Sequence, residues 1–175
     1  LVDMPLNSIP ATTSREAFAA KRAAARGQVS VDVGFWGGVV PGNAGELAGM
    51  VADGVRGFKC FLVDSGVAEF GWVGERELRP AMGILANERV PLLVHAEVAG
   101  PIDVATAQLA TANPRAYATY LASRPPAAEE QAIQLVTGLC KETGARTHIV
   151  HHSAASALSL LEQARAQGLP LTAET

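Results

Sequence analysis

The sequence predicts an α/β chain whose repeated βα units build a parallel sheet, as in part of an eight-stranded barrel. Three observations point there. Strand-like and helix-like segments alternate with little left over. Gly27, Gly54, Gly144 and Gly168 each stand just past a helix-like segment and just before a strand-like one, the place of a left-handed helix stop. The long connections, at 37–42, 63–74 and 97–126, follow strands, whereas helix-to-strand links are short. That asymmetry suits a barrel whose function sits on one rim.

Taken in order, residues 1–4 read as the end of a strand, followed by a proline-bounded loop to Pro10. Thr13-Ser-Arg-Glu16 has the spacing of a capping box and opens an alanine-rich helix that stops at Gly27. The next strand covers 29–35, and Gly37, Gly38, Pro41 and Gly42 make the loop after it. Asn43 can cap a helix carrying Leu47, Met50 and Val51 that stops at Gly54. Residues 55–62 form a strand, Ser65-Gly66 a loop, and 75–88 a helix. The fourth strand, 91–96, leads into a long excursion that includes 101–112 and a short helix near 117–122. Pro125-Pro126 opens a helix over 127–143, and 146–151 is the fifth strand. Ser153 can cap a helix ending at Gly168, and 170–174 begins a sixth strand.

Six strands are too few for a closed barrel, which typically needs about 250 residues. Residues 1–175 therefore read as a single incomplete barrel domain, with position 1 a cut inside a fold. There is no linker, solenoid repeat or low-complexity tract.

Hydrophobic residues make up 49% and charged residues 18% of the chain, which marks a core-rich globular protein. A net charge of −3 gives no basic footprint for nucleic acid. No apolar run is long enough to span a membrane, and the first residues lack a secretory signal. Cys60 and Cys140 have no disulfide spacing, so a reducing, cytoplasmic setting is the simplest reading.

Lys59, His95 and His151 each lie near the C-terminal end of an apolar strand-like run: GFKCFL, PLLVHAE and HIVHHS. That end is where a parallel barrel does its chemistry. A lysine in an apolar strand is pushed toward the neutral amine, which can take up carbon dioxide as a carbamate and bridge two divalent ions. The simpler alternative is a buried stem with its ammonium in solvent. His95 and His151 are each either a metal ligand or a hydrogen-bonded structural histidine. Glu97 can orient the His95 ring, although a loop carboxylate is the plainer reading. Strand alternation puts His151 on the side of Ile149 and Thr147, His148 against the helical layer, and His152 on the rim. No nucleophile elbow or phosphate-binding glycine pattern is present.

Several segments together resemble the allantoinases, cyclic amidohydrolases of the amidohydrolase superfamily. They are Asp3-Met-Pro-Leu-Asn-Ser-Ile-Pro10, Val31-Asp-Val-Gly-Phe-Trp-Gly-Gly38, Gly57-Phe-Lys-Cys-Phe-Leu62, Val94-His-Ala-Glu97, the run from Tyr117 to Glu129, and His148-Ile-Val-His151. The resemblance implies a TIM barrel of which this chain supplies about strands two to seven. The first and last strands and a small β-sandwich lie outside it. It implies hydrolytic opening of the hydantoin ring of allantoin to allantoate, with two divalent ions, zinc above all. Lys59, carboxylated, would bridge them, and His95 and His151 would be ligands. A His-x-His pair and the aspartate base fall outside the chain, so no catalytic base is expected within it and the isolated segment is expected to be inactive.

Asn7 and Ser65 lie in rim loops where they could meet substrate, although turn or cap roles are the plainer readings. Where the family commonly has His-Leu-Ser, this sequence has His151-His152-Ser153. The resemblance also implies a small-molecule substrate and a homo-oligomer such as a tetramer, with no nucleic-acid or membrane partner. A hydantoinase, dihydropyrimidinase or dihydroorotase, or a non-catalytic metal-binding relic of the barrel, are the competing readings.

Overall fold

A computed structural model describes all of residues 1–175. The elements are β1 (Val2–Asp3), α1 (Arg15–Ala25), β2 (Gly34–Phe35), β3 (Gly37–Gly38), α2 (Ala44–Ala52), β4 (Phe58–Phe61) and α3 (Glu75–Glu88). They continue with β5 (Leu92–His95), α4 (Ala99–Gln108), α5 (Tyr117–Ser123), α6 (Pro126–Thr143), β6 (Thr147–Val150), α7 (Leu158–Ala166) and β7 (Leu171–Ala173). A 3-10 turn, Ala155–Ala157, precedes α7.

All pairing is parallel. β1 pairs with β2, and β3-β4-β5-β6-β7 form a second sheet in chain order. Only Trp36 separates β2 from β3, so the two sheets meet along one interrupted strand. The helix stops fall where glycine spacing placed them: Gly27, Gly54, Gly144 and Gly168 all have positive φ. At Gly144, φ is 72° and its N–H donates to Cys140 O, closing α6 in a conformation that costs a side-chain-bearing residue energy.

One face of the sheet packs on helices. Phe58, Cys60, Leu92, Val94, Ile149 and Leu171 join Phe18, Leu47, Met50, Leu78, Met82, Ile133, Val136 and Leu161 in one apolar cluster. Each large side chain buried there contributes about 1.5–3 kcal/mol. Cys60 belongs to this cluster, and burial pushes its thiol up to about 12, so it serves as a small apolar side chain. The opposite face carries Lys59, Phe61, Leu93, His95, His148, Val150 and Thr172, because register pairs Lys59 with Leu93, Leu93 with His148, and His148 with Thr172.

Several expectations need correction. The strand expected over 29–35 is paired only at Gly34–Phe35, and Val29 and Val31 are exposed. The expected loop glycines Gly37 and Gly38 are instead a strand. A Cβ on Gly37 would lie 2.5 Å from the Phe58 ring, and one on Gly38 would lie 2.4 Å from Phe70. Bare backbone there lets aromatic rings pack directly onto β3.

The excursion at 101–112 contains a helix, α4. Pro101 lies in its first turn, where no intrahelical N–H is lost. Ser14, not Thr13, caps α1, accepting from Ala17 N at 3.1 Å, so no capping box forms. Asn43 stands at the start of α2 without capping it. Its amide accepts from Val40 N at 3.1 Å and donates to Thr13 O and Gly38 O, both at 2.8 Å, tying the loop before α1 to the segment between β3 and α2.

Candidate metal centre

His95 ends β5, and its ring stacks on Phe61 of the neighbouring strand with centroids 4.9 Å apart. Register explains this, since Phe61 and His95 are direct partners. The His95 Nε2 and Glu97 Oε2 atoms are 2.6 Å apart. An ionised carboxylate can only accept, so Nε2 carries the proton and Nδ1 keeps a free lone pair when the ring is neutral. That hydrogen bond, followed by nearby Arg124, holds the Glu97 carboxyl below the usual carboxylate range. Arg124 Nη1 donates to the same carboxylate oxygen at 3.3 Å.

His95 Nδ1 faces His151 Nε2 at 3.2 Å. Two imidazole nitrogens on one tetrahedral zinc, each about 2.0–2.1 Å from the ion, stand about 3.3–3.4 Å apart. The pair therefore fits adjacent corners of such a site. Burial, then His95 and Lys59, hold His151 below the ordinary imidazole range, which favours the neutral, ligating form.

His151 reaches this position through its backbone. β6 stops at Val150, and His151 takes φ +42°, which breaks strand alternation. The parity that would have sent it with Ile149 into the helical layer no longer applies. His148 is the residue that parity misplaced. It lies on the Lys59 face, with Nδ1 2.7 Å from Thr172 Oγ1. His152 is not on the rim but 6% exposed, with its Nε2 unpartnered and 3.9 Å from Glu129.

Lys59 lies one row deeper on the same face, beside Leu93 and two residues before Phe61. It is 8% exposed, and its Nζ sits 4.9 Å from the Phe61 ring centroid. Desolvation lowers its pKa, the direction that favours a reactive neutral amine. The chain holds no group of three or more His, Cys, Asp or Glu side chains placed to hold a metal ion.

A cleft of roughly 740 Å³ opens above the two imidazoles, lined among others by Phe61, Ser65, His95, Glu97, Arg124 and His151. Tyr117, Tyr120 and Leu121 of α5 form another wall. Ser65 serves as a turn residue as well as a lining one: its hydroxyl donates to Phe70 O at 2.7 Å and accepts from Val67 N at 3.1 Å. Asn7 is exposed and outside the lining. Glu129 and Arg124 had no part in the sequence reading of the site. The charged pair flanking Pro125-Pro126 was the available signal.

No protein-family model matches the chain. Along all of its 175 residues it is 46% identical to "Allantoinase, mitochondrial" of Aquarana catesbeiana and, over a 178-residue alignment, 44% identical to the allantoinase of Saccharomyces cerevisiae. The chain is homologous to allantoinases along its whole length. It spans 35% of the frog allantoinase and 38% of the yeast one. Among solved structures, the L-hydantoinase (dihydropyrimidinase) of Arthrobacter aurescens superposes with a TM-score of 0.93 at 33% identity, over 99% of this chain and 38% of that one. A D-hydantoinase from a Bacillus species superposes with a TM-score of 0.83 at 25% identity. The allantoinase-like segments include the Lys59, His95 and His151 strands and the two charged residues around Pro125-Pro126. No helix is long and apolar enough to cross a membrane.

Proposed function

We propose that this chain is part of a metal-dependent cyclic amidohydrolase that opens the hydantoin ring of allantoin to give allantoate. The observation that carries the reading is the 3.2 Å approach of His95 Nδ1 to His151 Nε2 at the floor of a cleft, one row above a desolvated lysine. The parallel sheet, apolar toward its helices and polar on the other face, belongs in this reading to a (β/α)8 barrel formed as one domain.

Lys59, His95 and His151 would hold metal, zinc most readily, with Lys59 carrying a carboxylate. To form it, neutral Nζ bonds to the carbon of carbon dioxide and releases one proton to solvent. Bound divalent metal supplies Lewis-acid polarisation of the ring carbonyl and activates water near neutral pH. His95 contributes a fixed lone pair, because Glu97 keeps the proton on its other nitrogen. Phe61, stacked behind His95, keeps that ring from rotating. Residues of α5 wall one side of the cleft, and Ser65 on the rim, whose hydroxyl proton goes to Phe70 O, would offer substrate its remaining lone pair.

On this reading the complete protein acts on a small cyclic amide, assembles as a homo-oligomer and works in the cytoplasm, where the two buried free thiols, Cys60 and Cys140, stay reduced. A hydantoinase is the second reading, favoured by the L-hydantoinase superposition. Assays of the complete protein, of which these 175 residues are part, with allantoin, hydantoin and dihydroorotate separate the two. Fastest turnover of allantoin, abolished by a chelator and restored by zinc, is expected. Turnover of hydantoin without allantoin would favour the second reading, and chelator-resistant activity would overturn both.

A further inference from the structure

Two glutamates support the histidine pair, Glu97 at the His95 ring and Glu129 at the backbone after His151, and both meet the corner at 124–129. We propose that Glu97 and Glu129 are positioning residues for His95 and His151, braced together by the segment 124–129. The proposal rests on the reading of those histidines as a ligand pair.

Glu97 accepts a hydrogen bond from His95 Nε2 at 2.6 Å, and Arg124 donates to the same oxygen at 3.3 Å, which together hold the carboxylate against the ring. Glu129 acts on His151 through the backbone. Its Oε1 accepts from Ser153 N at 2.7 Å and its Oε2 from Ala154 N at 2.8 Å. These amides lie two and three residues past His151, whose φ of +42° is uncommon for a residue with a side chain. Such a conformation persists only where its surroundings over-determine it. Two charge-assisted hydrogen bonds donated to one carboxylate do so, and the Glu129 side chain is only 13% exposed.

Arg124 and Glu129 stand on either side of Pro125 and Pro126, where the chain turns from α5 into α6. Proline fixes the backbone at that corner. One rigid corner therefore presents Arg124 toward Glu97 and Glu129 toward the His151 loop, and sets the separation of Nδ1 and Nε2.

The test measures zinc affinity of the complete protein by competition with a chelator, together with its circular dichroism spectrum in the absence of zinc. Glu97→Ala and Glu129→Gln are expected to lose roughly 10–100-fold in affinity while keeping the wild-type spectrum. Glu97→Gln, whose amide oxygen still accepts the Nε2 proton, is expected to recover most of the loss. Glu130→Ala, which removes only a contact to exposed Ser156, is expected to bind zinc like the wild type. Wild-type affinity in Glu97→Ala and Glu129→Gln, or an equal loss in Glu130→Ala, overturns the brace while leaving the metal centre standing. A wild-type chain that binds no zinc overturns the metal-centre reading and the brace with it.

Discussion

His151 marks where reading residues by parity stops working. The apolar run 146–151 placed a histidine at a strand end, and the structure puts it beside His95. The side it faces could not be inferred, because one positive φ resets the alternation that the sequence implies. The same break carries His152 inward. There its Nε2 is buried without a hydrogen-bond partner, a group that costs about 1–3 kcal/mol. His152→Leu fills a similar volume without the polar nitrogen and is expected to raise the stability of the complete chain by about that amount. Urea unfolding checks this, and a lower midpoint for the leucine variant would show that the His152 ring stabilises the fold.

Lys59 was visible because a lysine is conspicuous in an apolar strand, and its desolvated position one row below the imidazoles follows from sheet register. Lys59→Ala is expected to reduce allantoin turnover at least about 100-fold, since a bridging ligand is lost. Added propionate should restore a measurable part by standing in for the lost carboxylate. A lysine that only snorkels predicts near-normal turnover and no rescue.

Elements were legible where periodicity and punctuation agreed. The helix over 75–88 and the glycine stops follow from amphipathic spacing and left-handed caps, which are local properties. The failures were non-local. β3 is a strand because Phe58 and Phe70 lie against bare glycine backbone, and nothing adjacent in sequence states that contact. The caps at Asn43 and Ser153 failed for a related reason: Asn43 spends its amide on the 11–14 loop and the 38–43 segment, and a 3-10 turn at Ala155–Ala157 delays α7 to Leu158, while Ser153 N and Ala154 N donate to Glu129.

A Cβ on Gly57 would lie 2.2 Å from the Trp36 ring and 2.7 Å from Pro91 O, between two neighbouring strands. Gly57→Ala is thus expected to destabilise the complete chain by about 1–3 kcal/mol. Gly138 lies mid-helix in α6 with nothing within 4 Å of an added Cβ, so Gly138→Ala is expected to stabilise it by about 0.5–1 kcal/mol. Thermal unfolding of the two variants should move in opposite directions. A stabilised Gly57→Ala would mean that Trp36 does not pack on the strand backbone.

For the whole molecule, the two sheet faces divide the labour. The face against the helices holds the fold together, and the other carries Lys59, His95 and His148, so a large apolar core and a polar site coexist in a chain of 175 residues. Repeated βα order made the parallel sheet predictable, but not the state of its margins. β7 pairs only with β6, and its alternate residues do this pairing: Pro170 O accepts from Thr147 N, and Glu174 N donates to Ile149 O. Alternation then turns the backbone groups of Leu171 and Ala173 toward the open margin. An unpaired edge of this kind templates association. Residues 1–175 prepared alone are therefore expected to self-associate with rising concentration in sedimentation velocity. Ala173→Pro removes an outward N–H while sparing the bonds to β6, and should shift the same preparation toward monomer. Identical concentration dependence in both preparations would place the association on another surface, such as the exposed side chains Tyr117, Tyr120 and Leu121 of α5.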